Sequence, residues 1–320
     1  MTIPKLRSGR FAAVVLTVCL VCALAAVMLA GCGSDGGTEA SSSSTVAGPI
    51  TVTDDAGQQV SLEQPAERIV SLAPANTEIA YAIGAGDKMV AGTSYDDYPE
   101  DAKALPKIGD FANPSVEKIA SFDPDLVLAA GGVQDGLRTK LEDLGIKVYV
   151  IDPTTYGGVM TTISRVGKLA GTSAEAEKVV QEMAKARDDV QARVGSLAKV
   201  DTFLEIYSEP LMTAGSGTFI DDMINLAGGT NIGATAGDGY PNFSAEVLLE
   251  KDPAVYIADS GSMSEPGAIA ERDGYAGLTA VKEGRVYVIN DNLIARCGPR
   301  LAKGLARLAR MIHPEAYAAQ

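Results

Sequence analysis

Short apolar runs alternate with segments of helical periodicity along most of the chain. Apolar, β-branched runs, as expected for buried strands, occur at residues 125–129, 145–151, 254–258 and 284–289. Two apolar segments of helical character, 77–86 and 218–229, both end in glycine, which suits the left-handed position after a helix. This alternation predicts an α/β fold with parallel strands.

Part of this pattern is repeated within the chain. Residues 115–129 read SVEKIASFDPDLVLA and residues 244–258 read SAEVLLEKDPAVYIA, so Ser, Glu, Asp-Pro and the last Ala recur at identical spacing. Each copy predicts a short helix, a stop at proline and a buried strand. A second strand follows in each copy, at 145–151 and 284–289. The repeat predicts two similar Rossmann-like lobes with a ligand cleft between them.

The segment that separates the two copies has a different character. Residues 173–197 contain no proline. Their apolar positions recur at the spacing of an amphipathic helix: Ala176, Val179, Val180, Met183 and Ala186. We therefore predict an N-terminal lobe over 48–170, a bridging helix over 171–198 and a C-terminal lobe over 199–320. A long connecting helix limits how far the lobes move.

The N-terminus has the pattern of an export signal. Three basic residues within the first ten precede an uncharged run over 11–30, as in a secretory signal. A run of this length is also compatible with an uncleaved transmembrane anchor. The sequence Leu29-Ala30-Gly31-Cys32 resembles the bacterial lipoprotein signal, so we expect a signal peptide over 1–31 and acylation of Cys32. Residues 32–47 are rich in Gly, Ser and Thr and predict a flexible tether.

Charge and cysteine content narrow the choice of partners. The chain has a net charge of −14, and removal of the three basic residues of segment 1–31 leaves −17. Such a surface disfavours nucleic acids as partners. Beyond Cys32 the only cysteine is Cys297, so we expect no intramolecular disulfide in the folded body.

The residues needed for catalysis or metal capture are scarce. His313 is the only histidine, no Gly-x-Ser-x-Gly motif occurs, and no pair of carboxylates stands out for acid–base chemistry. Gly84-Ala85-Gly86 closes a helix and does not follow a strand, so it is no dinucleotide loop. Zinc and manganese sites draw on imidazole. We therefore expect that the protein is not an enzyme and that it binds no metal ion and no cofactor.

Five landmarks resemble one known family. They are RIVSLAPANTE at 68–78, SYDDYP at 94–99, NPSVE at 113–117, DPDLV at 123–127 and RCGPR at 296–300. With the duplicated lobes and the lipoprotein signal, they resemble the helical-backbone class of ABC-importer binding proteins over about residues 49–315. This class serves cobalamin, haem and ferric siderophores. The resemblance implies a monomer that is lipid-anchored outside the cytoplasm and delivers its ligand to a permease dimer with ATPase subunits.

Within the class, the sequence is most similar to the vitamin B12-binding members. That resemblance implies ligand contacts at five positions: Tyr95, Phe111, Met212, Tyr240 and Arg296. Aromatic and Met side chains suit the faces of a flat apolar ring, and an arginine suits its polar edge. Other roles are open: either tyrosine or Phe111 could pack within its own loop, Met212 could fill a core, and Arg296 could brace the final helix.

Glu117 and Glu246 occupy the same position of the two repeats. Each lies in the first turn of a predicted helix, where the helix dipole alone favours a carboxylate. The resemblance implies a further role, in which one glutamate per lobe docks with arginines of the two permease subunits. Paired sites on a two-lobed body would match a two-fold symmetric partner.

These observations predict an extracytoplasmic solute-binding protein of an ABC importer that captures a cobalamin-like corrinoid. The first alternative is haem or a ferric siderophore. Tyr95 or Tyr240 could hold the haem iron, whereas His313 is badly placed for it. The second is a surface sensory module without transport. Neighbouring genes for a permease and an ATPase would favour transport over sensing.

Overall fold

Strands and helices alternate along the chain as the hydrophobic pattern predicts. The computed structural model describes residues 48–132, 134–260 and 266–318. The predicted signal peptide, the tether and Cys32 lie outside these residues. Among the helices that are described, none is long and apolar enough to cross a bilayer.

The secondary structure consists of strands, α-helices and short 3-10 turns. The strands are β1 (Ile50–Thr53), β2 (Gln59–Leu62), β3 (Ile69–Ser71), β4 (Met89–Ala91), β5 (Leu126–Ala130), β6 (Val148–Ile151), β7 (Val200–Ser208), β8 (Leu211–Thr213), β9 (Gly229–Asn231), β10 (Val255–Asp259) and β11 (Val286–Ile289). The helices are α1 (Pro74–Ala82), α2 (Val116–Ser121), α3 (Asp135–Glu142), α4 (Tyr156–Ala170), α5 (Ser173–Val194), α6 (Phe219–Leu226), α7 (Ala245–Lys251), α8 (Thr279–Lys282) and α9 (Leu301–Ile312).

The sheet before helix α5 is wholly parallel. Its strand order is β4-β3-β5-β6, with Val70 opposite Val127 and Leu128 opposite Tyr149. The central strands are buried on both faces, which explains why they are continuous apolar runs. The loops that follow these strands therefore meet at one edge of the sheet.

The sheet after helix α5 is mainly parallel and has the order β11-β10-β7-β8, with β9 also paired to β7. Strand β8 runs antiparallel to β7, because the chain reverses at Glu209-Pro210. The sequence predicted parallel strands only, and strand β8 is an exception at this edge. The antiparallel pair β1–β2 was also not predicted, and it buries only alternate residues.

The two sequence repeats fold into matching units. In each copy the serine is the N-cap: the Ser115 hydroxyl accepts a hydrogen bond from the backbone N–H of Lys118, and Ser244 accepts one from Val247. In each copy the aspartate before proline has a φ of 45°. Identical caps and stops at both ends explain why α2–β5 and α7–β10 share one geometry.

Helix α5 lies between the two sheets in sequence and shares one apolar cluster with residues of both. Gly195 is its C-cap, and its buried side chains are Ala176, Met183, Val190 and Val194. These residues belong to a single apolar cluster that contains Ile69 and Ile79 before the helix and Leu204 and Leu305 after it. The two lobes thus share one core.

Each sheet has a second, separate apolar cluster on its other face. One contains Val70, Val127 and Ile119 of α2, and the other contains Phe203, Tyr256 and Leu248 of α7. Helices α2 and α7 therefore pack on the opposite face of their sheets from the shared core that holds α5 and α9.

Candidate ligand cleft

The loop after strand β4 presents Tyr95 on a rigid base. Its neighbour Asp96 is 3% exposed and accepts three hydrogen bonds, from the Thr77 hydroxyl at 2.8 Å, the Thr93 N–H at 2.9 Å and the Thr93 hydroxyl at 2.6 Å. The side chain of Tyr95 itself is 59% exposed. The sequence-predicted tyrosine is therefore held at its backbone while its ring is free to contact a ligand.

Arg296 crosses from the C-terminal half to this loop. Its Nη1 donates to Glu78 Oε1 at 2.8 Å and to Asp97 Oδ1 at 2.5 Å. Burial raises the pKa of Asp97, but the hydrogen bond and charge of Arg296 outweigh burial and leave that pKa below its ordinary value. Arg296 thus braces helix α1 and the Tyr95 loop, whereas the alternative role considered from the sequence was to brace the final helix.

Arg300 binds the same buried acid. Its Nε donates to Glu78 Oε2 at 2.7 Å and its Nη2 donates to Glu78 Oε1 at 2.5 Å. Its guanidinium also lies 4.5 Å from the ring centroid of Tyr98, within the range of a cation–π contact. Glu78, Asp97, Arg296 and Arg300 therefore form an ion-pair network between the two halves.

Tyr240 lies in a loop that pairs with the segment after strand β8. The Gly215 N–H donates to the Gly239 carbonyl at 2.7 Å, and a Cβ at Gly215 would lie 2.1 Å from the Gly237 carbonyl, so glycine is required there. The Tyr240 side chain is 46% exposed. Burial raises its pKa to about 12, with smaller contributions from Cys297 and from Asp152, the residue after strand β6. Tyr240 therefore lies near the strand ends of the opposite lobe.

Phe111 and Met212 are both half-buried. The carbonyl of Phe111 accepts a 2.8 Å hydrogen bond from the buried side chain of Gln134, which follows strand β5. Met212 lies on β8 and forms an isolated bridge with Asn242, two residues after Tyr240. The ring–ring contacts found in the described residues all lie in the apolar cluster of Phe203 and Tyr256 and do not include Tyr95, Phe111 or Tyr240.

Glu117 and Glu246 have the same environment in the two lobes. Both are exposed, and the Ser115 hydroxyl lies 3.0 Å from Glu117 Oε2 while the Ser244 hydroxyl lies 3.2 Å from Glu246 Oε2. Backbone and Ser115 hydrogen bonds lower the pKa of Glu117. Each helix therefore begins with an exposed carboxylate whose side-chain hydrogen bond comes from the N-cap serine of the same helix.

Sequence reasoning missed the acidic partners of the arginines and the surroundings of Cys297. Glu78 is an acid within the apolar segment 77–86, and this was the one signal that could have revealed it. Burial raises the pKa of the Cys297 thiol to about 12, with additional effects of Asp152, Asp55 and Glu78.

His313 is engaged inside the protein. Its Nδ1 lies 2.8 Å from Glu315 Oε1 and its Nε2 lies 3.0 Å from the Gly228 carbonyl. In the part of the chain that the structure describes, no three His, Cys, Asp or Glu side chains are grouped to hold a metal ion.

The chain matches the family described as periplasmic binding protein over residues 69–293. It is 34% identical to the uncharacterized ABC transporter substrate-binding lipoprotein YvrC of Bacillus subtilis, covering 98% of this chain and 99% of the relative.

Among solved structures, the periplasmic vitamin B12 binding protein BtuF of Vibrio cholerae superposes with a TM-score of 0.70 at 29% identity, covering 79% of this chain and 99% of BtuF. The periplasmic heme-binding protein RhuT of Roseiflexus has a TM-score of 0.69 at 25% identity, covering 78% and 99%.

These matches confirm the predicted class and the two-lobed α/β fold. They also confirm that the protein is a solute-binding component and not an enzyme, since the family is not a catalytic one. The chain belongs to the periplasmic binding protein family and is an ABC transporter substrate-binding protein that acts outside the cytoplasm.

Proposed function

We propose that this protein captures a cobalamin-like corrinoid between its two lobes and delivers it to an ABC permease dimer with ATPase subunits. The observation that carries the proposal is the pair of exposed tyrosines, Tyr95 and Tyr240, one from each half, on loops fastened by hydrogen bonds. The lobes in this proposal are residues 48–170 and 199–320, with 171–198 as the bridge.

A corrin is a broad, largely apolar plate with polar edges, and the cleft residues have matching chemistry. Aromatic faces of Tyr95 and Tyr240 bind such a plate by stacking, with Phe111 and Met212 as further apolar contacts. Both hydrogen bonds of Arg296 come from Nη1, so its other N–H groups can donate to the edge of the ligand. The similarity to a vitamin B12 binding protein supports this ligand class.

The second part of the proposal is a lipid anchor at Cys32. The Leu-Ala-Gly-Cys sequence and the name of the Bacillus subtilis relative, a lipoprotein, both support it. A Gly- and Ser-rich tether over 32–47 would span roughly 20 Å. That reach lets a monomeric body turn toward a permease in the same membrane.

Docking through Glu117 and Glu246 is the third part. Both carboxylates are exposed, and each is the first acidic residue of a helix on the face of its sheet away from the shared core. Two equivalent charges on one body suit two equivalent permease subunits.

Haem is the alternative with a specific observation in its favour, because a heme-binding protein has nearly the same TM-score. In that case a tyrosine oxygen of Tyr95 or Tyr240 would be the iron ligand. A ferric siderophore and a sensory role without transport remain further alternatives.

The test is a titration of the purified chain with cobalamin, cobinamide, haem and a ferric hydroxamate, followed by calorimetry and absorption spectra. We expect the corrinoids to bind and the ferric hydroxamate not to bind. Tight binding of haem with no binding of either corrinoid would replace the proposed ligand by the alternative. A missing permease gene beside this one would argue for the sensory role.

A further inference from the structure

Arg296, a proposed ligand contact, and Arg300 are already neutralised by acids of the opposite half. Glu78, whose side chain is 2% exposed, binds both Arg296 and Arg300, and Asp97 binds Arg296 as well. Each positive charge is therefore matched by one carboxylate. A negatively charged ligand would find no uncompensated cation in this network.

The surroundings of Tyr240 and Cys297 are acidic. The charged groups that act on Cys297 are Asp152, Asp55 and Glu78, and those that act on Asp152 are Asp55 and Asp135. Asp55 has a cationic partner, since Arg165 Nη1 lies 3.2 Å from its Oδ1. For Asp152, no ion pair is found within residues 48–132, 134–260 and 266–318, and its side chain is exposed. A carboxylate placed beside Asp152 would meet a like charge.

We propose that the cleft selects ring-shaped ligands whose edges carry amides and rejects those whose edges carry carboxylates. Glu78 and Asp97 are the positioning residues that set this selectivity, because they neutralise Arg296 and Arg300. The inference rests on the proposed function and deepens it by naming the edge chemistry of the ligand.

An amide edge fits these groups without any loss of the ion pairs. Amide carbonyls accept from an unused N–H of Arg296, and amide NH₂ groups donate to the carboxylate of Asp152. A carboxylate edge would have to compete with Asp97 for Arg296. Burying it without a partner of its own carries a large desolvation cost.

The experiment uses matched ligand pairs that differ only in edge charge. One pair is haem and the same haem with both propionates converted to amides. The other is cobinamide and a corrin whose side-chain amides are hydrolysed to acids. For the wild-type chain we expect the amide form of each pair that binds to have a dissociation constant at least about tenfold lower.

Asp97→Asn removes one carboxylate from Arg296 at an exposed position, so the variant is expected to fold. In this variant the ratio of the dissociation constants of the acid and amide forms should fall by at least about threefold, because Arg296 becomes available to an acid edge. Glu78→Gln should lower the same ratio further, and circular dichroism checks that this variant folds. The matched control is Glu100→Gln, which removes the same charge from an exposed pair with Lys103 in the segment after Tyr98.

Equal affinity for both members of a pair in the wild type would overturn the inference. An identical effect of Asp97→Asn and Glu100→Gln on the preference for the amide form would overturn the inference too. If corrinoids bind regardless of edge charge, the proposed function stands and the selectivity fails. If only the haem amide binds, the selectivity stands and the corrinoid assignment fails. If no member of either pair binds, both fail.

Discussion

The hydroxyl of Thr77 donates a 2.8 Å hydrogen bond to Oδ2 of Asp96, and this bond ties helix α1 to the loop that presents Tyr95. Asp96 is buried, so its side-chain oxygens are satisfied by this donor and by the two donors of Thr93. Because Tyr95 is the adjacent residue, the position of its ring depends on the same network. Stability and ligand geometry are therefore coupled at this point.

Thr77→Val should reveal this coupling. It removes one hydrogen bond to a buried carboxylate, and we expect the free energy of unfolding to fall by about 1.5–3 kcal/mol. For a domain of this size the melting temperature should fall by roughly 3–12 °C. Thermal unfolding by circular dichroism measures the effect.

The matched control is Thr51→Val, which removes an exposed hydroxyl–hydroxyl bond to Ser61. It should change the free energy of unfolding by less than about 0.5 kcal/mol. Equal effects of the two variants would show that the Thr77–Asp96 bond contributes no more than a surface bond.

Tyr95→Ala should weaken binding of the true ligand while leaving the fold intact, because the side chain is largely exposed. Loss of an aromatic face is expected to raise the dissociation constant by roughly five- to hundredfold, which corresponds to about 1–3 kcal/mol. Tyr95→Phe keeps the ring and should bind nearly as well as the wild type if stacking is the interaction. A loss in Tyr95→Phe equal to that in Tyr95→Ala would assign the effect to the hydroxyl, as expected for an iron ligand.

Local signals made much of the fold predictable. The repeat at 115–129 and 244–258 carries its own N-cap serine, helix and Asp-Pro stop, so the α2–β5 and α7–β10 units follow from short-range chemistry alone. The bridging helix was equally visible, since its apolar spacing needs no knowledge of the packing partner. The exposed tyrosines were found by resemblance.

The partners of Arg296 could not be predicted in the same way. Glu78 lies 218 residues away in sequence, and only the relative placement of the two halves brings these side chains together. Strand β8 was missed because three residues are too few to show a period. The acids that act on Cys297, which are Asp152, Asp55 and Glu78, likewise all belong to the other half of the chain, so local pattern does not relate them to the cysteine.

Cys297 provides a test of those surroundings. Its pKa of about 12 means that the native thiol holds its proton near neutral pH, and the thiolate is the reactive form. We expect alkylation by iodoacetamide at pH 8 to be at least about a hundredfold slower in the native chain than in guanidinium chloride. Mass spectrometry of the peptide that contains Cys297 measures this rate separately from Cys32.

The sign of the accompanying pH effect follows from the raised pKa. Between the ordinary thiol value of 9.0 and about 12, the unfolded chain has lost this proton and the native chain still holds it. The contribution of Cys297 to the free energy of unfolding therefore decreases as pH rises through this window. Equal alkylation rates in the native and unfolded states would contradict the raised pKa of the Cys297 thiol.

Ligand binding should change the overall dimensions of the protein very little. One apolar cluster contains residues of both sheets and of helix α5, so a hinge motion would have to open a packed core. Small-angle scattering should give a radius of gyration of about 18 Å for the folded body, with a change below about 0.5 Å on saturation. A marked decrease on ligand addition would show that the lobes close as independent bodies.

Neutralisation of Glu117 and Glu246 together should separate transport from binding. Both carboxylates are exposed and accept hydrogen bonds only from their own helix starts among the described contacts, so their loss should leave the fold and the ligand cleft unchanged. We expect Glu117→Gln with Glu246→Gln to lower ligand uptake by cells about tenfold or more while the dissociation constant stays within about twofold.

The control for this pair is Glu63→Gln with Glu283→Gln, which removes the same charge from exposed positions outside helices α2 and α7. This variant should transport normally, because a docking role depends on where the two charges lie and not on the total charge. Equal loss of uptake in both double variants would assign the effect to net charge. Loss of affinity in the Glu117 and Glu246 variant, with uptake preserved at saturating ligand, would move these residues from the permease interface to the ligand site.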